Sequence, residues 1–188
     1  TQSALLGGLA TATLEIADQN ELTLTTLFNQ AGEDYAGYLT GRDDREDTRI
    51  AQRRLRFLER MVWFNQLAGQ HRDVLGAKLD WRFNVSVANR NEPDTRDLQY
   101  QLQARGPRWA DRGPNEGQRL FAKLAQLEFG GGLDLEIPVY EATLKVGGAL
   151  QTSDRDYDLR RFDYDARPLA DPDASYLPPE EIFGPQQI

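Results

Sequence analysis

The chain has no cysteine, one histidine and one methionine in 188 residues. The missing thiols exclude a cysteine nucleophile, a disulfide framework and a cysteine-ligated zinc site. No stretch is apolar for 18 or more residues, so no helix is written to cross a membrane. Positive charge is scarce, with 22 Lys and Arg against 30 Asp and Glu, a net charge of −8. That balance argues against a nucleic-acid partner. His71 stands in no nucleophile motif, and Gly130-Gly131-Gly132 lacks the Lys and Ser/Thr of a phosphate loop. The glycines read instead as a barrel bend or a close approach of neighbours. The Asp-rich runs at 43–47 and 154–165 lack the spacing of a calcium loop, so no metal or other cofactor is expected. No catalytic residue and no enzyme activity are expected either. The first residue is Thr, and no signal peptide precedes it, so the chain reads as a mature product or an excised piece.

Periodicity is what the chain has in quantity. Over 78–88, Leu79, Trp81, Phe83, Val85 and Val87 alternate with Lys78, Asp80, Arg82, Asn84 and Ser86. A two-residue period puts every apolar group on one face of a strand. The same alternation places Leu144, Val146 and Leu150 opposite Lys145 and Gln151. It also places Leu14 and Ile16 opposite Thr13 and Glu15. Strands are expected near 3–17, 20–32, 49–71, 77–104, 117–136 and 141–165. The phase is poor over 50–70, where Leu55, Phe57 and Trp63 compete with Leu58, Val62 and Phe64. A bulge is expected there and in 118–135. A helix over 50–69 competes, because Arg, Leu, Gln and Glu are good helix formers.

Short turns at 17–20, 73–76 and 138–141 alternate with long polar connections near 31–48, 89–117 and beyond 151. Short-long alternation is the rhythm of outer-membrane barrels. Residues 32–48 carry a net −4, residues 151–188 a net −5 and the remainder +1. The acids are therefore expected in outer loops. Trp63, Trp81, Phe64 and Phe83 are expected near the short turns, as an interfacial aromatic girdle. Trp109 is expected in a loop. Leu79, Trp81, Phe83, Val85, Val87, Leu144 and Val146 are expected to face lipid. Lys78, Asp80, Arg82, Asn84, Lys145 and Gln151 are expected to face a lumen.

Glu92-Pro93-Asp94-Thr95-Arg96 interrupts the alternation, after which Leu98, Tyr100 and Leu102 carry it on even numbers. Proline cannot donate to a ladder, so an irregularity is expected here. Arg90, Glu92, Asp94 and Arg96 are expected to pair among themselves near the rim. Arg82, Arg90, Glu92, Asp94, Arg96, Arg155, Tyr157, Arg160 and Tyr164 are the candidate ligand-binding residues, in the lumen and the outer loops.

Several segments resemble the barrel of TonB-dependent outer-membrane receptors. They are Gln66-Leu67-Ala68-Gly69-Gln70-His71 followed by Leu79-Asp80-Trp81, the run from Arg90 to Arg96 with Tyr100, and Leu133-Asp134-Leu135-Glu136-Ile137-Pro138. Asp154-Arg155, Arg160-Arg161-Phe162-Asp163-Tyr164 and the stretch from Leu177 to Phe183 complete the likeness. The resemblance implies an all-β antiparallel meander of about six strands, an open arc cut from a barrel of about 22. Residues 1–188 would be one partial barrel, without plug domain, TonB box or remaining strands. It further implies the bacterial outer membrane and energised uptake of a siderophore, cobalamin or oligosaccharide. The partners implied are the plug, the rest of the barrel, periplasmic TonB and outer-membrane lipid. Two other readings are open: a non-energised porin or assembly barrel, and a soluble β-sandwich binding module.

Overall fold

The computed structural model describes residues 1–17, 19–44, 47–109, 117–164, 172–178 and 181. They form one antiparallel sheet: β1 (Gln2–Ile16), β2 (Asn20–Asp43), β3 (Thr48–Val74), β4 (Ala77–Gln103), β5 (Gly106–Trp109), β6 (Gly117–Val139) and β7 (Ala142–Asp163). The order is β1-β2-β3-β4-β6-β7, and β5 pairs with the far end of β4 on the edge that β6 also uses. With the short β5 set aside, each strand therefore pairs with the next in sequence, as a meander. The sheet does not close. The fold is all-β, and the helical alternative for 50–69 is overturned: those residues lie in the middle of β3.

The short turns follow from local chemistry. Leu75 and Gly76 both have positive φ, at 57° and 84°. Two such residues make the hairpin turn whose twist matches the strands it joins. The Asp73 carboxylate accepts from Gly76 N–H at 2.9 Å and holds the turn.

The strands are longer at the other end than the polar composition suggested. Residues 31–43 belong to β2 rather than to a loop. Glu33 and Asp34 lie on that strand, and Asp154, Asp156, Asp158 and Asp163 lie on β7. The expected placement of the acids in loops is thus corrected. Hydrogen-bonded ladders run through charged sequence because backbone pairing needs no apolar side chain. Arg45, Glu46 and Asp165 of the acidic runs, and Pro179, Glu180, Ile182 and Phe183 of the tail, lie outside the described residues.

The one irregularity at mid-sheet is on β4. Glu59 pairs with Asn91 and Leu55 with Arg96, so β4 spends five steps where β3 spends four. Across the other edge, Glu92 pairs with Ala122 and Thr95 with Leu120, three steps against two. One extra residue beside Pro93 accounts for both shifts. The extra residue expected in β3 over 50–70 and in β6 is not there: β3 runs unbroken against β2 and β6 unbroken against β7, and β3 gains a residue relative to β4 only beside the turn, between His71 and Val74. The mixed phase over 55–64 arises because both faces of β3 are apolar at that height.

Buried apolar side chains are few. Ala51, Leu98, Tyr100 and Trp109 make one small cluster at the end of the strands away from the short turns. Trp109 is 3% exposed on β5, which corrects its expected place in a loop. A short 3-10 turn at Pro172–Tyr176 folds against this end. Arg105 grips Asp173 with two hydrogen bonds of 2.8 and 3.0 Å. Leu177 packs on the cluster.

Candidate functional site

Directly opposed residues of an antiparallel ladder share a face, so the register sorts the side chains into two surfaces. One row of the first surface reads Leu14, Leu22, Gly69, Trp81, Leu133, Gly148. The next reads Ala12, Leu24, Leu67, Phe83, Gly131, Leu150. The opposite surface has the row Thr11, Thr25, Gln66, Asn84, Gly130, Gln151. All seven residues expected on the apolar side share the first surface, and all six expected on the polar side share the second.

The apolar surface is bare. Leu14, Leu24, Phe83, Leu133, Leu144 and Val146 are each half or more exposed, and Leu150 is 86% exposed. Among the described residues no second layer packs against it. Its apolar band is oblique to the hydrogen-bonded rows. In the row Leu6, Gln30, Met61, Asn89, Ala125, Asp156, one end is still apolar and the other already acidic.

Two tryptophans lie toward opposite margins of the band. Trp81 is near the short turns. Its indole Nε1 donates to His71 Nε2 at 3.1 Å, and His71 Nδ1 meets Asn20 Oδ1 at 2.7 Å. The ring also covers Gly69, where a Cβ would collide with it. Trp63 lies three rows further on, and its Nε1 donates to Thr26 Oγ1 at 3.2 Å. This corrects the single expected girdle. Trp63 is not at the short-turn end, and Phe64 falls on the polar surface, because β3 keeps a strict two-residue period against β2.

The polar surface is tied by cross-strand pairs. Lys145 Nζ donates to Glu136 at 2.5 Å, and Lys78 lies 3.9 Å from the same carboxylate. Arg82 reaches Asp134 at 3.6 Å and lies across Gly132, while Asn84 lies across Gly130. The glycines are thus sites of close side-chain approach. Arg155 donates twice to Gln126, at 3.1 and 2.8 Å. Tyr157 is exposed on the same surface.

The bulge splits the expected rim cluster in two. Arg90 donates to Glu92 at 3.1 Å, and Thr95 Oγ1 donates to the other oxygen at 2.6 Å, so the 5%-exposed carboxylate has two donors. Asp94 is taken instead by Arg96 and Arg119, four hydrogen bonds between 2.6 and 3.1 Å. Arg119 and the bidentate Arg54–Asp97 pair, at 2.5 and 2.8 Å, were not singled out by sequence reasoning. Only the strand register reveals them, since their partners are 25 and 43 residues away.

Arg160 lies 3.6 Å from Asp158, on the apolar side's extension. Tyr164 lies just past β7, edge-on to Trp109 at 6.3 Å. Burial pushes its phenol above the ordinary value. The nine candidate binding residues therefore do not converge on one pocket. They lie on both surfaces and around the bulge. Among the described residues no cluster of His, Asp and Glu could hold a metal ion.

Searched against models of known protein families and against curated proteins, the chain matches none.

Proposed function

We propose that the chain is barrel wall of a bacterial outer-membrane protein, a piece of a TonB-dependent receptor serving energised uptake. The observation that carries the membrane reading is the bare apolar band. From Leu79 to Val87 a strand rises roughly 27 Å at about 3.4 Å per residue. Tilted by about 40°, that spans roughly 20 Å, close to the band of about 25 Å in such barrels. The obliquity of the band supports the same reading, because a membrane plane cuts tilted strands across their rows. Tryptophans toward both margins, each with its N–H bonded, fit the two interfaces. The opposite surface, polar and ion-paired, suits a lumen. A soluble sandwich needs a second sheet, and the described residues form one.

The energised part of the reading rests on the resemblance described above. In this reading a plug domain and periplasmic TonB supply the gate and the pull, and this stretch supplies wall. The alternative of a passive porin shares the wall and differs in the gate.

The test uses the three tryptophans. In vesicles with bromine on the acyl chains, Trp63 and Trp81 are quenched and Trp109 is not. Subtracting the signal of a Trp109→Phe variant isolates it. Equal quenching of all three, or none, sinks the membrane assignment. Energised uptake is checked in cells: uptake through the parent protein of a ferric siderophore, cobalamin or oligosaccharide stops when the proton gradient is collapsed. Uptake indifferent to the gradient favours the porin.

A further inference from the structure

We propose that a notch beside the β4 bulge seats the phosphate of a membrane lipid headgroup. This rests on the membrane reading above. The notch holds about 210 Å³ and is walled by Asn91 and Pro93 of β4, Phe121 and Lys123 of β6, and Asp158 and Arg160 of β7. Asn91, Lys123 and Asp158 form one row of the apolar face, two rows past Val87 and Leu127. That is about 13 Å along the strand from the last apolar row, the depth where acyl chains give way to headgroups.

The chemistry of the walls matches a headgroup. Among the described residues Lys123 forms no ion pair, since its cross-strand neighbour Asp158 is engaged by Arg160. Arg160 is held loosely, by that 3.6 Å contact and by stacking 6.0 Å from the Phe121 ring centre. Glu92 also borders the notch, with its charge taken by Arg90 and Thr95. Two cations, Lys123 and Arg160, and two carboxylates, Asp158 and the already bonded Glu92, therefore line the notch beside the Phe121 ring. The Oδ1 of Asn91 is buried without a hydrogen-bond partner, while its Nδ2 donates to Glu59 at 3.5 Å. A buried acceptor left open is costly. The headgroup phosphate meets Lys123 and Arg160. The notch lies at the register shift, where Pro93 and Asp94 have no ladder partner on β6.

The probe is dihexanoyl phosphatidylglycerol, titrated into the detergent-solubilised protein and counted by native mass spectrometry. The wild type retains one copy, and the K123Q/R160Q double variant binds it at least tenfold more weakly. Lys78→Gln, on the opposite surface, binds as the wild type does. Dihexanoylglycerol, which lacks the phosphate, is not retained. Equal binding by the double variant overturns the site, as does retention of the phosphate-free lipid. Inorganic phosphate displacing the lipid at equal concentration also overturns it. All of these results leave the membrane reading standing. A chain that sediments without bound detergent overturns both.

Discussion

Trp81 donates its indole N–H to the Nε2 of His71, and the same ring roofs Gly69 one strand away. The only histidine of the chain is thereby an acceptor for the Trp81 indole, from the neighbouring row on the turn side. Trp81→Phe keeps the ring over Gly69 and loses the donor. It is expected to cost about 1 kcal/mol. Gly69→Ala drives the ring off and is expected to cost more, about 2 kcal/mol. Unfolding midpoints in detergent, with near-ultraviolet circular dichroism of the indole, separate the two.

Adjacent residues on β7 report the two surfaces. Leu150→Arg puts a cation on the apolar band and is expected to cost about 2–4 kcal/mol in a bilayer. Gln151→Arg puts it on the polar surface and is expected to stay within about 0.5 kcal/mol of the wild type. Denaturant titration in lipid vesicles measures both. Equal costs would contradict the assignment of faces.

The carboxylate of Glu92 is nearly buried and holds two donors. Glu92→Ala strands Arg90 and Thr95 and is expected to cost about 2 kcal/mol. Pro93→Ala leaves the extra residue in place and is expected to cost less than about 1 kcal/mol. Thermal unfolding followed by the strand signal ranks the two variants.

Asn84 lies across Gly130, with its Oδ1 2.6 Å from where a Cβ would stand. Gly130→Ala is expected to cost about 1 kcal/mol by forcing Asn84 aside. In the Asn84→Ala background the same change is expected to cost nothing measurable. The double-mutant cycle reads the coupling directly.

Tyr164 should ionise above the ordinary tyrosine range in the folded protein, because it is sheltered from solvent. Burial raises its folded value, so its contribution to stability is complete below the unfolded value. That contribution is lost as the pH climbs through the folded value. Tyrosinate absorbance should lose one late step in Tyr164→Phe. An unchanged titration would mean the phenol is not sheltered by Trp109.

The strands were legible wherever one surface is apolar and the other polar. Over Leu79–Val87 and Leu144–Leu150 alternation alone set the faces, and the register agrees. Over Leu55–Phe64 the pattern was mixed because Leu58, Val62 and Phe64 load the polar surface too. No one-strand pattern separates that from a bulge. The length of β2 was hidden for another reason: charged residues past Glu33 stay in the ladder. The bulge itself was legible at Pro93, through the lost donor and the change of parity. Its ion pairs were half legible. Arg90–Glu92 and Arg96–Asp94 are two residues apart, whereas Arg119 reaches Asp94 across a register shift.

The extra residue beside Pro93 acts on β4 as a frameshift acts on a message. Below it, odd numbers spell the apolar surface, and above it even numbers do. Deleting that single residue would leave the lower half of the strand untouched. It would turn Leu98, Tyr100 and Leu102 to the wrong side and undo the cluster with Ala51 and Trp109. Comparing related chains by counting alternate positions would fail at the same place. Alignment across this point has to be anchored separately on each side.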